Sequence, residues 1–281
     1  MPSPVNNAFN TLSATIDRIL KDGSIGVLAT LIESASNIVH VGAKLLVEEP
    51  GASGASVGGL GSTALDQAVV QHARRFLESR EETRVFHVKE FAPQLVEHGD
   101  AQILFERIQQ EPRLVICGAG HVGAVLAKLS ALMGYRATLI DDRAEFVRRE
   151  LFPDERIDLV ATDSWSTAVR NAVGDGRGVS VAVVTRGHSE DEQCLRAIVG
   201  SEADYIGLIG SKRRTNIVLD RLRENGAEKR KLERVRAPIG LDIGAVTPEE
   251  VALAIMAEIV AVRRGGSGGS LSEWRRRKNA T

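Results

Sequence analysis

Gly118-Ala119-Gly120-His121-Val122-Gly123 has the residue types and spacing of a turn that cradles phosphate. In such a turn Gly118 permits the sharp bend and Gly120 lets a pyrophosphate approach the backbone. Gly123 lets the following helix pack close to its strand. The first amide N–H groups of that helix have no intrahelical partner and suit an anion. About 20 residues further on stand Asp141 and Asp142, placed to accept hydrogen bonds from a ribose 2′-OH. Arg143 leaves NAD and NADP both open, because an arginine can hold a 2′-phosphate that the acids repel. His121 is a candidate phosphate donor or acid–base group, and equally a helix cap.

Two further clusters carry the same chemistry. Thr185-Arg186-Gly187-His188 directly follows an apolar run, where a rigid strand would position polar groups for binding. His188 is there a second acid–base candidate; the plainer alternative is a turn that starts a helix. Gly210-Ser211-Lys212-Arg213-Arg214 also follows a strand-like run and opens a helix. Cations at a helix N-terminus oppose the macrodipole, and a bound anion would reverse that sign. The alternative is a set of solvated basic side chains. Cys117 reads as a buried, inert thiol, reactive only if it opens towards His121. Histidines 40, 72, 87, 98, 121 and 188 lack ligand spacing, so no metal site is expected.

The elements that must hold these groups are legible as periodicities. Leu114–Cys117 and Ala137–Ile140 read as strands flanking a helix with Val122, Leu126, Leu129 and Met133 on one face. Strand-like runs at Ile157–Ala161, Val179–Val184 and Tyr205–Ile209 alternate with helical stretches, which implies a doubly wound parallel sheet. Its ligand belongs outside the carboxyl ends of the strands. Thr247-Pro248-Glu249-Glu250 is a dense helix-start signal. The helix beyond it is apolar nearly all round except for Glu258, so it is buried against the sheet or in a dimer.

Before residue 111 the pattern differs. A helix over Asn7–Lys21, with Phe9, Leu12, Ile16 and Ile19 near one face, precedes strands at Ile25–Ile32 and Lys44–Val47. Gly51–Ser62 is a glycine- and serine-rich segment, Ser62 reads as the cap of a helix to Leu77, and Thr83–Val88 and Gln102–Ile108 read as strands. This predicts a smaller α+β domain over residues 1–110, then the nucleotide-binding domain over 111–265 and a flexible tail over 266–281. Trp274-Arg275-Arg276-Arg277-Lys278 makes that tail basic.

At 281 residues, 43% hydrophobic and 26% charged, the chain has ample material for two packed domains. A formal net charge of -1 gives no electrostatic footprint for nucleic acid or an anionic membrane. Two cysteines, Cys117 and Cys194, with no signal-like start and no long apolar segment, lead us to expect a cytoplasmic protein.

The strings CGAGHVG, LIDDR, VVTRGHSED, YIGLIGSKRR and APIGLDIGAVTPEEVALAIMAEIVAVRRG occur in the order found in the XdhC/CoxI family, which the chain resembles from Arg113 to Gly265. The resemblance implies a Rossmann-like C-terminal domain behind a smaller N-terminal one. It also implies an accessory role in maturing molybdenum hydroxylases of the xanthine dehydrogenase and CO dehydrogenase type. Such proteins bind the molybdenum–pterin cofactor, protect it during sulfuration and help insert it into the apo-enzyme. A cysteine desulfurase is an implied further partner, and a homodimer is expected.

The N-terminal half departs from the family pattern. Where relatives carry Ser-x-Pro-Arg, this chain has Ser34-Ala35-Ser36-Asn37, with Gly42 further on. The usual Gly-Gly-Gly-Cys-Leu-Glu is represented by Gly58-Gly59-Leu60-Gly61-Ser62-Thr63, and a later Cys-Gly pair is replaced around Glu97-His98-Gly99. A non-catalytic cofactor-binding chaperone is therefore the leading expectation. An NAD(P)-dependent oxidoreductase using His121 or His188 is the alternative, and a nucleotide-sensing regulatory module a third.

Overall fold

The computed structural model describes residues 4–35, 39–49, 55–79 and 81–272, with side chains from residue 11 onward. Ser36 and Asn37, residues 51–54 of the glycine-rich segment, the side chain of Phe9 and the Trp274–Lys278 tail lie outside the described residues. The chain divides into two compact units, Met1–Gln110 and Glu111–Thr281.

The first unit runs α1 (Pro4–Asp22), β1 (Gly26–Glu33), β2 (Lys44–Glu48), β3 (Ser56–Gly59), α2 (Thr63–Glu78), β4 (Thr83–His87), α3 (Val88–Phe91) and β5 (Gln102–Ile108). Its strands form an antiparallel sheet in the order β3-β2-β1-β5-β4. β1 is buried from Gly26 to Leu31, with Thr30 its one polar residue there, because both of its faces are covered. Val27, Ala29 and Leu31 share a core with Val69, Ala73 and Phe76 of α2, while Leu28 meets Leu12 and Ile19 of α1. β3 falls inside the glycine- and serine-rich segment, where the sequence shows no strand signal. Its residues are small and polar, so they carry no hydrophobic period, and pairing with β2 decides the matter. Gly58 there has φ +95°, and a Cβ would stand 2.3 Å from the Lys44 carbonyl oxygen.

The second unit contains β6 (Arg113–Cys117), α4 (His121–Leu132), β7 (Arg136–Asp141), β8 (Ile157–Ala161), α5 (Trp165–Val173), β9 (Val179–Val183), α6 (His188–Ile198), β10 (Tyr205–Leu208), α7 (Lys212–Glu224), α8 (Lys229–Leu232), β11 (Val235–Arg236) and α9 (Pro248–Arg263). All its strand pairs are parallel, in the order β11-β10-β9-β6-β7-β8. Strand order reverses between β6 and β9, which is the switch point where such sheets open a crevice. Side chains alternate across the sheet. Leu114 and Ile116 of β6 join the core under α4 and α9, and Val115 and Cys117 join the core under α5, α6 and α7. This is the α/β doubly wound architecture expected from the sequence.

α9 starts as its sequence requires. Thr247 and Glu250 form a reciprocal capping box, with Pro248 in the first turn. Its apolar face is used inside the unit: Ala252, Ile255, Met256 and Ile259 pack into the core shared with α4. Glu258, the one acid beyond its first turn, is buried and accepts hydrogen bonds from the Tyr205 hydroxyl and the Gly240 N–H. The helix therefore packs against its own domain, and its apolarity no longer argues for a dimer. Among the described residues no helix is long and apolar enough to cross a membrane.

Candidate functional site

A cleft of about 340 Å³ opens outside the carboxyl ends of β6, β7, β9 and β10. Its floor is the turn between β6 and α4, and each glycine there has a separate mechanical role. Gly118 has φ +112°, and a Cβ on it would lie 2.6 Å from the Val184 carbonyl oxygen. A Cβ on Gly123 would lie 1.8 Å from the Gly118 carbonyl oxygen, so only glycine lets α4 start this close to the strand. Gly120 is different: open space surrounds the place a Cβ would take. It is the N-cap of α4 and offers no side-chain cap, which leaves the first amides of the helix directed at the cleft.

Asp141 ends β7 and holds this turn in place. Its Oδ2 accepts from the Ala119 N–H at 2.6 Å and from Arg143 Nη2 at 3.0 Å. Its Oδ1 accepts from the Arg143 N–H at 3.0 Å and Arg143 Nε at 2.8 Å. The side chain is 2% exposed. Burial opposes its ionisation, but the hydrogen bonds from Arg143 and Ala119 outweigh burial and keep the carboxyl below its usual range. The Arg143 guanidinium is itself stacked 3.7 Å from the centre of the Phe146 ring. Asp142, the more open acid, accepts from Arg186 Nη2 at 2.8 Å. That ion pair links the ends of β7 and β9 across β6.

A buried polar triad sits behind the opposite wall. The Thr185 hydroxyl donates to Asp191 Oδ1 at 2.6 Å, and Arg214 Nη2 donates to Asp191 Oδ2 at 2.6 Å. Arg214 also reaches the Thr185 carbonyl, at 3.4 Å. Burial pushes the fully buried Asp191 carboxyl up, against the opposing pull of Thr185 and Arg214. Arg214 Nε donates to Asp191 Oδ2 as well, at 3.2 Å, so the guanidinium is fixed at the wall of the cleft while its methylenes lie along Gly210.

The cleft brings together Gly118, Gly120, His121, Val122, Asp141, Asp142, Arg143, Thr185, Arg186 and Gly210 from separate stretches of sequence. Ala119 and Gly123 lie buried behind the turn, and Gly187 caps α6. His188, Ser211, Lys212 and Arg213 are exposed at the starts of α6 and α7 and do not line it. Ser211 instead caps α7, accepting from the Arg214 N–H. Sequence reasoning had Arg214 within its anion cluster but passed over Trp165, Val184, Ile209 and Pro248 as lining residues. The signal for Arg214 was present: a residue in the first turn of a helix can return over the glycine before its cap. Trp165 and Pro248 come from helix starts remote in sequence and carried no local signal.

Cys117 lies below the turn, fully buried beside Cys194, and both are free thiols. The hydrogen bond with Cys117 and burial push the Cys194 thiol far up, which suits an inert pair. Among the described residues no three His, Cys, Asp or Glu side chains group as a metal site. What the cleft can do chemically is hold an anion between backbone amides and Arg214 while leaving His121 exposed at its rim.

Comparison with known proteins bears on the family and the fold. The XdhC Rossmann domain matches residues 114–259, and the XdhC and CoxI family matches residues 19–89. The chain is 30% identical over 86% of its length to the uncharacterized protein YqeB of Escherichia coli K12. It is 29% identical over 58% of its length to a probable xanthine dehydrogenase component of Bacillus subtilis. It is 25% identical over 54% of its length to the molybdenum cofactor insertion chaperone PaoD of E. coli. These matches span 44%, 46% and 40% of the relatives, so the chain covers under half of each. A crystal structure of a xanthine dehydrogenase from Bacillus halodurans superposes with a TM-score of 0.50 at 18% identity. The superposition covers 93% of this chain and 98% of that one, a likeness of fold.

Proposed function

We propose that this chain, which belongs to the XdhC and CoxI family, is a maturation factor that carries the molybdenum–pterin cofactor to an apo molybdenum hydroxylase. The observation that carries this reading is the cleft itself. An open glycine turn, uncapped helix amides and a fixed arginine meet at the switch point of the sheet. A phosphate fits there, since the Gly120 side is open and Arg214 has been oriented in advance by Asp191. The molybdenum centre would be cargo, held through the phosphate-bearing end of the ligand. Gly120, the α4 amides and Arg214 would bind that end, and Val122, Val184 and Ile209 would flank the remainder.

Two relatives, one named as a molybdenum cofactor insertion chaperone and one as a probable part of a xanthine dehydrogenase, support this role. Help with sulfuration would need sulfur brought by a partner such as a cysteine desulfurase, because Cys117 and Cys194 are both buried away from the cleft. The test is copurification from a host making a molybdenum hydroxylase, with mass analysis of whatever small molecule the protein retains. A pterin phosphate and the apo-hydroxylase are expected. Steady consumption of NADH or NADPH on a small substrate, with no pterin retained, would favour an oxidoreductase instead.

A further inference from the structure

Sheets of this topology place an acid at the end of the second strand to grip the ribose diol of an adenine dinucleotide. Here that position is Asp141, the last residue of β7. A carboxylate offers about four lone-pair directions, and Asp141 has all of them engaged by Ala119 and Arg143 at 2.6 to 3.0 Å. Arg143 covers the carboxylate as well, and its own plane is fixed on Phe146. The next acid, Asp142, is held by Arg186. A 2′-phosphate fares no better, because Arg143 stands between two acids, Asp141 at 2.8 Å and Asp142 at 3.8 Å, whose charges outweigh its own, whereas among the described residues Arg214 pairs with Asp191 alone.

We propose that Asp141 and Arg143 make this cleft selective against nicotinamide dinucleotides: it takes a phosphate-terminated ligand through the glycine turn and Arg214, without a grip on an adenosine ribose. This rests on the reading of the cleft as a phosphate site, and it narrows the ligand class.

The experiment is isothermal titration of the full chain with sodium pyrophosphate, NAD+ and NADP+. Pyrophosphate is expected to bind, and neither dinucleotide is expected to bind more tightly than pyrophosphate alone. NAD+ or NADP+ binding tenfold or more tighter than pyrophosphate would overturn the proposal. In Arg143→Ala, which frees the acceptor directions taken by the guanidinium, NAD+ affinity should rise roughly tenfold, the worth of hydrogen bonds to a freed carboxylate. Pyrophosphate affinity should not rise, because the bared carboxylate repels an anion and only a ribose diol can donate to it. A folded Arg143→Ala protein with an unaltered NAD+ to pyrophosphate ratio would also overturn the assignment. Should that variant not fold, the wild-type ratio decides alone. Absence of pyrophosphate binding in the wild type would instead sink the underlying reading of the cleft, an outcome distinct from the others.

Discussion

At the scale of single residues, the glycine turn separates structural from binding roles. Gly123→Ala places a methyl against the Gly118 carbonyl and should cost about 2 kcal/mol or more by overpacking. Thermal denaturation checks it, through a lowered midpoint. Gly120→Ala meets nothing within 4 Å, so its midpoint should hold while pyrophosphate binding weakens several-fold by titration. Equal loss of stability in both variants would remove the distinction. The sequence motif named all three glycines but could not rank them, because the ranking depends on which atoms approach from Val184 and from the strand. It likewise placed an acid near the ligand without showing that Ala119 and Arg143 had already claimed it.

At the scale of elements, helix starts do the positioning. α9 depends on its capping box, and Thr247→Ala should cost about 1 kcal/mol in denaturant titrations. α6 and α7 are tied by the pair Asp191–Arg214, whose acid is fully buried and whose arginine is 26% exposed. Asp191→Ala strands that arginine and should cost about 3 kcal/mol, the lower end for a broken buried pair. It should also weaken pyrophosphate binding, because Arg214 loses its fixed orientation; retained binding at reduced stability would make the triad structural alone. The strands were nearly all readable from apolar runs of four to eight residues. β3 and β11 were not, since Ser56, Gly58 and Gly59 present no apolar period and take their conformation from β2, and Val235–Arg236 is too short to show one.

For the molecule as a whole, the first unit has a pH-sensitive point in its core. His72 of α2 is stacked on Phe91 at 4.5 Å and meets Phe86 and Phe105 edge-on, and among the described residues neither ring nitrogen has a hydrogen-bond partner. Burial lowers its pKa from 6.5; Arg75 and Arg84 lower it further, while Glu90 and Glu81 oppose them. A histidine depressed in the folded state leaves stability intact above 6.5. Below that value the unfolded chain takes up a proton that the folded one resists, so stability falls with pH. Thermal melts at pH 7.5 and pH 5.5 should show this loss, and His72→Leu should reduce it. An unchanged pH slope in that variant would place the acid sensitivity elsewhere.

The sequence by itself determined the parallel doubly wound sheet, the family and the three strand-end clusters, because these are written in local periodicity and in glycine spacing. Only the tertiary structure decided how those clusters divide into cleft and scaffold. Arg113–Arg143, read alone, announces a dinucleotide site with Asp141 as its ribose acceptor. Folded, the carboxylate turns inward to the Ala119 amide and the Arg143 fork, while Arg214, from a helix some 70 residues further along the chain, supplies the cation. Hydrogen-bond saturation and long-range approach are properties of the assembled domain, and no local pattern encodes them.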